Sequence, residues 1–359
     1  MIVHILGSAT MFTKDTYEMI SKYFNNSPHE HVFISKFPNH ENYEYGNCKV
    51  IKSKSIKMLI ALYKADYIVV HGLINKLVVF LLTIQPWLIK KCGWVVWGGD
   101  IYIHNKKNKN IKERIIEYFK CYIIPKFPVI ITVSDGDYQL AQKWYGAKGK
   151  ECQIVYPTPA SKLSLLNRVL DVKKDKDVIN IIVGNSATET NQHFEALKLL
   201  EKFKNDNIRI HLPLSYGTGD FTDYANKVIE FAKSIFGDKV EPLRKQIPGD
   251  EYLYYLKKMD IGIFNNNRQQ AMGNISQLIL CGAKVYLRTD TKMWNHFKKL
   301  GCELSDIYSI DKMLTLDELM EYDLDIKRKN VDIIFKRHSI ETKIEQWTNM
   351  FNLMEQECR

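Results

Sequence analysis

The distribution of apolar and polar residues along the chain predicts two successive α/β domains. In the first half, short runs of β-branched and aromatic residues alternate with longer stretches in which apolar residues recur at helical spacing. The predicted strands are 2–6, 31–35, 67–71, 94–97, 129–133 and 153–156, and the predicted helices lie near 14–24, 54–64, 73–91, 111–122 and 135–145. This alternation indicates a parallel sheet with helices on both faces.

The pattern restarts after YPTPASKLSLLNRVLDVKKDKD, a segment with two prolines and alternating charge that we interpret as an interdomain linker. Here the predicted strands are 178–183, 208–212, 260–264 and 283–287, and the predicted helices lie near 190–204, 221–236, 250–258, 269–281, 292–300 and 338–356. We therefore expect domains at 1–165 and 175–335, followed by a C-terminal helix in 336–359. Two such domains facing each other would place a ligand in the cleft between their strand ends.

The distribution of charge along the chain limits the kinds of partner that the protein can bind. Residues 1–170 carry 23 Lys and Arg against 12 Asp and Glu, whereas residues 171–359 carry 28 against 29. A cationic first half suits nucleic acid, an anionic membrane surface or an acidic substrate.

Seven cysteines without a Cys-x-x-Cys pair are typical of a reduced, cytoplasmic protein without a structural zinc site. We see no secretory signal, and the apolar run at 77–84 is too short to span a bilayer.

In the second half, polar residues follow three predicted strands. Gly184, Asn185 and Ser186 form a turn whose amides and side chains could hold a phosphate at the start of a helix. Tyr216 could stack on a base or a sugar, and Arg268 requires an anionic partner, either a protein carboxylate or a ligand phosphate. An ordinary strand-to-helix turn and a surface arginine are the alternative interpretations. Neither half has a G-x-G-x-x-G or a Walker lysine.

In the first half, Asp100 follows two glycines after an apolar strand and is the leading candidate for a general base. His71 is the second candidate, although a lone histidine on a strand is more often a core residue. The segment 106–128 interleaves lysines with Ile, Tyr and Phe, which suits an anionic membrane surface. It would equally suit a helix whose apolar face packs on the sheet.

Taken in order, VHILGS, HG at 71–72, WGGD at 97–100, VGNS, N-x-H at 191–193, LPLSYG and RQQ-x-x-G at 268–273 resemble one family. These are the TDP-N-acetylfucosamine:lipid II N-acetylfucosaminyltransferases, also called 4-alpha-L-fucosyltransferases. The resemblance implies the GT-B fold, with two Rossmann-like α/β/α domains facing across a cleft, an acceptor domain first and a nucleotide-sugar domain second. The C-terminal helix would return to the first domain. The chain departs from the family pattern at WGGD, where WGAD is expected, and at Ser215, where glycine is expected.

The resemblance also implies an activity and a location. The enzyme would transfer 4-acetamido-4,6-dideoxygalactose from a dTDP donor to an undecaprenyl-pyrophosphate-linked saccharide, without metal or cofactor. The step would contribute to enterobacterial common antigen or a related surface polysaccharide. The protein would be peripheral on the cytoplasmic face of the bacterial inner membrane, in contact with anionic lipid.

Together, residue pattern and resemblance define the predicted sites. The predicted donor-binding residues are Gly184, Asn185, Ser186, Asn191, His193, Pro213, Tyr216, Arg268, Gln269, Gln270, Gly273 and Asn274. The predicted acceptor-binding residues are His4, Gly7, Ser8, His71, Asn75, Trp97, Asp100 and Tyr102. Asp100, His71 and Arg268 are the predicted catalytic residues, and Arg268 would stabilise the departing pyrophosphate.

Three alternatives remain open at the level of sequence. A GT-B glycosyltransferase with a different nucleotide sugar and acceptor would leave much the same pattern. The net charge alone suggests a nucleic-acid-binding protein, but no recognised nucleic-acid module accompanies it, so we expect no nucleic-acid partner. A dinucleotide-dependent oxidoreductase is disfavoured by the missing glycine fingerprint.

Overall fold

The structure, a computed structural model, divides the chain into two compact units. One comprises Met1–Pro159 with His338–Arg359, and the other comprises Ala160–Arg337. The structure describes residues 1–6, 11–25, 27–36, 48–106, 108–134, 136–157, 177–217 and 221–358. Residues 165 and 175, where we expected the domains to end and begin, and most of the expected linker lie outside this set.

The first unit is built on a seven-stranded, entirely parallel sheet in the order β3-β2-β1-β4-β5-β6-β7. Its strands are β1 (Ile2–Leu6), β2 (His31–Ser35), β3 (Lys49–Lys52), β4 (Tyr67–His71), β5 (Cys92–Val95), β6 (Val129–Thr132) and β7 (Lys150–Gln153). The central strands are buried along their whole length, as expected for a parallel sheet covered on both faces.

Helices cover both faces of this sheet. They are α1 (Met11–Tyr23), α2 (Ile56–Lys64), α3 (Lys76–Ile84), α4 (Gly98–Ile101), α5 (Ile111–Ile123) and α6 (Asp137–Tyr145). The chain's last helix, Ile340–Glu357, also belongs to this unit, as the sequence led us to expect. It is fixed to the end of the sheet because Trp347 Nε1 donates to the Val155 carbonyl and Gln346 Oε1 accepts from the Val155 amide.

The second unit repeats the architecture with a six-stranded parallel sheet in the order β10-β9-β8-β11-β12-β13. Its strands are β8 (Ile179–Val183), β9 (Ile208–Pro213), β10 (Val240–Leu243), β11 (Ile261–Phe264), β12 (Lys284–Leu287) and β13 (Ser305–Asp306). Its helices are α7 (His193–Leu200), α8 (Thr222–Phe236), α9 (Gly249–Lys257), α10 (Met272–Leu280), α11 (Lys292–Lys299), α12 (Leu316–Met320) and α13 (Leu324–His338); Ile340–Glu357 is α14.

The predicted α/β class is confirmed, with local shifts in the strands. β5 occupies 92–95 where we predicted 94–97, and β7 occupies 150–153 where we predicted 153–156. Ile154, Val155 and Tyr156 are buried, yet they follow the edge strand that pairs with β6 rather than forming it. Strands β3, β10 and β13 and helices α4, α12 and α13 were not predicted. Within the described residues, no helix is long and apolar enough to cross a bilayer.

The strand orders define where ligands can bind. In the first unit β1 lies between β2 and β4, and in the second unit β8 lies between β9 and β11, so the connections diverge to opposite sides at each first strand. Such a switch point leaves a crevice at the carboxyl ends of the two strands that flank it. Ligand-binding and catalytic residues are therefore expected in the loops after β8 and β11 and at the end of β4.

Candidate active site

The turn after β8 depends on a glycine at its first position. Gly184 has φ of +69°, and its amide donates to the Ile263 carbonyl of β11 at 2.9 Å. A Cβ at this position would lie 2.5 Å from His193 Nε2 and 2.9 Å from Asn191 Oδ1. Only glycine meets both requirements, so the chain leaves the strand sharply while two polar side chains pack directly against its backbone.

Asn191 holds this turn from inside. Its side chain is buried, its Oδ1 accepts from the Asn185 amide at 3.0 Å, and its Nδ2 donates to the Ser186 carbonyl at 2.9 Å. The same Nδ2 lies 2.8 Å from Thr188 Oγ1. This corrects one expectation: the Asn185 amide does not face a ligand, because Asn191 already accepts from it. Asn191 itself shapes the turn rather than presenting a group to solvent.

Side chains from the loops after β8, β9 and β11 join in one hydrogen-bonded network. Asn185 Nδ2 donates to the Tyr216 hydroxyl at 2.8 Å, and Asn185 Oδ1 accepts from Gln270 Nε2 at 2.9 Å. Gln270 Oε1 in turn accepts from Thr190 Oγ1 at 2.6 Å. Four residues from three segments that are far apart in sequence therefore converge at the switch point of the second sheet.

Arg268 brings a positive charge to this network. Its Nε donates to Thr190 Oγ1 at 3.4 Å, and its side chain is half-buried beside Tyr216. An arginine keeps its charge at any physiological pH and can donate two parallel hydrogen bonds to a phosphate. The structure thus brings Arg268 together with Asn185, Tyr216 and Gln270, as the sequence predicted.

The remaining predicted donor residues have varied surroundings. His193 is fully buried, donates to or accepts from the Tyr224 hydroxyl at 2.9 Å, and burial lowers its pKa to about 3. It is therefore a neutral support under the Gly184 turn and supplies no cation to a phosphate. Apart from its chain neighbours and its own helix backbone, no atom of the described residues lies within 4 Å of a Cβ built on Gly273. Asn274 Nδ2 donates to the Tyr252 hydroxyl at 2.9 Å.

The other predicted members are placed as follows. Ser186 is buried, and its hydroxyl lies 3.0 Å from Thr188 Oγ1. Pro213 ends β9 and is buried, and Gln269 is half-buried in the loop before α10.

Sequence reasoning missed several residues of the network. Asn266 is fully buried and its Nδ2 donates to Asn191 Oδ1 at 2.9 Å, so it ties the loop after β11 to the turn after β8. Arg288 donates through Nη1 to Gln192 Oε1 at 2.6 Å and pairs with Asp290 at 2.7 Å. Arg288 follows β12 directly, so the rule that polar residues at strand ends mark the site could have found it.

In the first unit, Asp100 lies at the switch point but its carboxylate is fully engaged. Oδ2 accepts from the Leu73 amide at 2.7 Å and from Trp94 Nε1 at 3.1 Å, and Oδ1 accepts from the Trp97 amide at 2.8 Å. Burial raises the pKa of this carboxyl to about 6, against the opposing charge of Lys120. With 1% of its surface exposed, Asp100 fits a positioning role, and this geometry does not favour the predicted role of general base.

His71 belongs to a chain of buried hydrogen bonds across three strands. Its Nδ1 contacts the Tyr156 hydroxyl, and its Nε2 lies 3.2 Å from His4 Nδ1. His4 Nε2 lies 3.0 Å from His31 Nδ1, and His31 Nε2 lies 3.3 Å from Ser27 Oγ. The sheet register explains the alignment, because side chains at alternate positions of adjacent parallel strands share one face. His71 therefore has both ring nitrogens occupied and is not free to act directly as a base.

The tautomers of the three histidine rings follow from Ser27, which ends this chain of hydrogen bonds. Ser27 Oγ donates its single proton to the His29 carbonyl at 2.8 Å, so it can only accept from His31 Nε2. Burial lowers the pKa of His31 to about 4 and of His71 to about 3, and lowers that of His4 well below its usual value, so the rings are neutral. Each ring then donates through Nε2 and accepts at Nδ1, and Tyr156 donates to His71.

The remaining predicted acceptor residues are not all brought together. Trp97 is half-buried, and its ring packs edge-on to that of Tyr156 with centroids 4.9 Å apart, which places it beside His71 and Asp100. Asn75 caps α3 by accepting from the Leu77 amide at 3.0 Å, and Tyr102 packs on Trp144. Gly7 and Ser8 lie outside the described residues.

The two all-parallel sheets, each covered by helices, are the two Rossmann-like domains of the GT-B fold. Solved structures with this fold include the N-terminal domain of Candida albicans trehalose-6-phosphate phosphatase. The two chains are 12% identical, the match covers 99% of this chain and 96% of that chain, and the TM-score is 0.65. A glycosyltransferase from Rickettsia africae matches at 13% identity, 99% and 98% coverage and TM-score 0.64. Anabaena HepE in complex with UDP and glucose matches at 12% identity, 98% and 99% coverage and TM-score 0.64.

The family is fixed by sequence. Residues 8–342 match the model for 4-alpha-L-fucosyltransferase, glycosyl transferase group 56, and the chain belongs to this family. The family resemblance that the sequence motifs predicted is confirmed. The protein is accordingly a nucleotide-sugar-dependent glycosyltransferase.

Proposed function

We propose that this glycosyltransferase transfers 4-acetamido-4,6-dideoxygalactose from a dTDP donor to an undecaprenyl-pyrophosphate-linked saccharide. The reaction would contribute to enterobacterial common antigen or a related surface polysaccharide, at the cytoplasmic face of the bacterial inner membrane. Membership in a fucosyltransferase family supports a sugar of the 6-deoxygalactose type. The proposed sugar is the 4-acetamido-4-deoxy relative of fucose.

The observation that carries the proposal is the network joining Asn185, Tyr216 and Gln270 beside Arg268. It lies at the switch point of the second sheet, where open α/β folds bind nucleotides. The Tyr216 ring is 44% exposed and so available for stacking on a thymine or a sugar. The similar fold of HepE was solved with UDP and glucose, which supports a nucleoside diphosphate donor for this one.

The chemistry requires stabilisation of the departing dTDP. The acceptor hydroxyl oxygen bonds to the anomeric carbon of the sugar and gives its proton to solvent or to the departing phosphate. Cleavage of the sugar–phosphate bond leaves the bonding electrons on the pyrophosphate oxygen, and the Arg268 guanidinium would meet that developing charge with paired hydrogen bonds. Within this proposal the guanidinium takes the part that a metal ion has in other transferases. No cofactor is required beyond the donor substrate.

A thermal-shift panel of nucleotides tests the donor class. A ligand that binds only the folded protein stabilises it by about 2.7 kcal/mol when present at a hundred times its Kd. We expect dTDP and dTDP-sugars to raise the unfolding temperature, whereas UDP and GDP have little effect. Arg268→Ala should lose most of the stabilisation, while Arg209→Ala, which removes an exposed arginine paired with Glu241 in the same unit, should retain it. A preference for UDP or GDP would overturn the proposed donor and leave the family assignment intact.

A further inference from the structure

Helix α2 has an apolar stripe on the side that faces solvent. The stripe consists of Ile56, Leu59, Ile60 and Tyr63, which are between 36% and 77% exposed. Their spacing of three, four and seven residues places them on one face of the helix. Single exposed apolar residues are ordinary on protein surfaces, but a complete helical stripe is not.

Helix α5 is apolar on two faces, because Ile116, Phe119 and Ile123 pack on the core while a second apolar stripe is exposed. Its exposed stripe consists of Ile111, Ile115, Tyr118 and Tyr122, with Ile111 77% and Tyr118 74% exposed. Its inward face carries the buried ion pair between Glu117 and Lys120 at 3.2 Å, and Lys120 also donates to the Asp100 carbonyl. A helix that only covered a sheet would have a polar outer face, so the second, exposed apolar stripe of α5 is available to a partner.

The two stripes are linked through α3 and the turn after it. The Tyr63 hydroxyl of α2 donates to Gln85 Oε1 at 2.8 Å, at the end of α3, and the Phe80 ring of α3 lies 6.4 Å from that of Phe119 in α5. Phe80 and Ile84 of α3 and Trp87 of the following turn are about half exposed. We call the exposed apolar residues of α2, α3, α5 and Trp87 the docking surface.

The charge around the docking surface selects its partner. Residues 52–126 carry 14 Lys and Arg against 4 Asp and Glu, a balance of +10 that equals the net charge of the whole chain. Exposed cations such as Lys57, Lys64, Lys90, Lys112 and Arg114 lie on the same helices and the adjoining turn. Exposed Trp and Tyr rings, aliphatic side chains and surrounding lysines are the combination found where proteins meet the interface of an anionic bilayer.

We propose that the docking surface binds the anionic lipid surface of a membrane, with the apolar stripes of α2 and α5 inserted at the headgroup level. The partner is the bilayer itself rather than the acceptor lipid. The inference rests on the proposed function only in that a lipid-linked acceptor gives membrane contact its purpose. Vesicle binding can be measured without donor or acceptor.

Flotation with vesicles tests the proposal. Wild-type protein should float with vesicles of phosphatidylcholine mixed with phosphatidylglycerol, and bind vesicles of phosphatidylcholine alone much more weakly. The variant Ile111→Ser/Ile115→Ser/Tyr118→Ser should bind the mixed vesicles at least about tenfold more weakly. Neutralising Lys57 and Lys112 by alanine should weaken binding by about fivefold per residue at low salt. The matched control Leu314→Ser/Leu324→Ser/Phe335→Ser removes exposed apolar side chains of the second unit and should bind as wild type does.

Three results would contradict the proposed membrane binding. The first is that wild-type protein does not float with the mixed vesicles, and the second is that the triple α5 variant binds them as wild type does. The third is that the protein self-associates through the same residues in a concentration-dependent way and does not bind vesicles. The triple variant should unfold at the wild-type temperature and keep its stabilisation by dTDP, which shows that it is folded. If dTDP fails to stabilise any form while vesicle binding follows the expected pattern, the proposed function fails and the docking surface stands.

Discussion

Gly184 is the residue on which the geometry of the proposed donor site depends. Replacing it with alanine would place a Cβ 2.5 Å from His193 Nε2, in a backbone region that costs alanine about 1 kcal/mol before any clash. We predict that Gly184→Ala lowers the free energy of unfolding by more than this amount and weakens binding of the donor. Chemical denaturation and a nucleotide titration measure the two effects.

Gly273 provides the matched control. Its φ is not positive, and no atom lies within 4 Å of a Cβ at this position, so Gly273→Ala should keep wild-type stability or gain a little from helix propensity. Gly184→Ala combined with His193→Ala should recover part of the lost stability, because the closer of the two clashes is then relieved while the one with Asn191 Oδ1 remains. Equal stability of Gly184→Ala and Gly273→Ala would contradict the account of this turn.

At single positions, local sequence patterns predicted which residues of the second unit lie near one another better than they did for the first unit. Asn185, Tyr216, Arg268 and Gln270 were expected near one another because each follows a strand of the same parallel sheet. The role of Asn191 as internal support was not predictable. It depends on Asn266, which lies 75 residues away and reaches it only in the folded chain.

At the scale of elements, β1, β2 and β4 each contribute one histidine to the chain that ends at Tyr156. The C-terminal helix α14 covers them, with the Trp347 ring 6.3 Å from His71 and the Phe351 ring 5.4 Å from His31. This cover removes the rings from water and keeps them neutral. The helix that closes the first unit therefore also fixes the protonation of its histidines.

We predict that His4, His31 and His71 are all in the Nε2–H form at neutral pH. Long-range nitrogen NMR correlations on ¹⁵N-histidine-labelled protein would report an unprotonated Nδ1 in each. A protonated Nδ1 on His71 would reverse the direction of the chain. Tyr156→Phe should leave the tautomers of His4 and His31 unchanged, because Ser27 fixes them from the other end.

These histidines also have a consequence for stability in acid. Their pKa values in the folded protein lie below the usual 6.5, so the stability they contribute is present above about pH 6.5 and is lost as the pH falls toward 4. Burial raises the pKa of Asp100 to about 6 and of Asp137 to about 7, which acts in the opposite direction. His71→Asn should reduce the slope of unfolding free energy with pH by about one proton, about 1.4 kcal/mol per pH unit near pH 5. An unchanged slope would show that His71 is not held neutral.

Hydrophobic periodicity predicted the central elements of both sheets and missed the edges. β1, β2, β4, β8 and β11 are apolar runs buried on both faces, and each was expected within about a residue of its observed range. β3 (KVIK) and β10 (VEPL) are short edge strands with polar positions, and their pairing depends on neighbours supplied by the tertiary fold. In α5 the apolar period was visible, but the exposure of a second apolar face was not. Glu117 and Lys120 take places on the inward side because they bond to Tyr145 and to the Asp100 carbonyl.

Over the whole molecule, most of the excess positive charge lies in the first unit, which carries 23 Lys and Arg against 16 Asp and Glu, whereas the second unit carries 28 against 25. The first half carries the excess of Lys and Arg and the docking surface, whereas the second half is close to neutral and contains the network around Arg268. This division fits an enzyme whose lipid-linked acceptor is at a membrane and whose donor is a soluble nucleotide sugar. Composition alone indicated this division of charge. The residues of the docking surface and of the network around Arg268 could be recognised only from the structure.

The most direct test of the central claim is a transfer assay followed by mass spectrometry. Wild-type protein is incubated with dTDP-4-acetamido-4,6-dideoxygalactose and an undecaprenyl-pyrophosphate-linked saccharide in detergent. We predict a product heavier than the acceptor by one acetamido-dideoxyhexose residue. Arg268→Ala should lower kcat by about a hundredfold or more, while Arg209→Ala should keep wild-type turnover. Absence of product from folded, dTDP-binding wild-type protein would contradict the proposed sugar and acceptor, and full activity of Arg268→Ala would contradict the site.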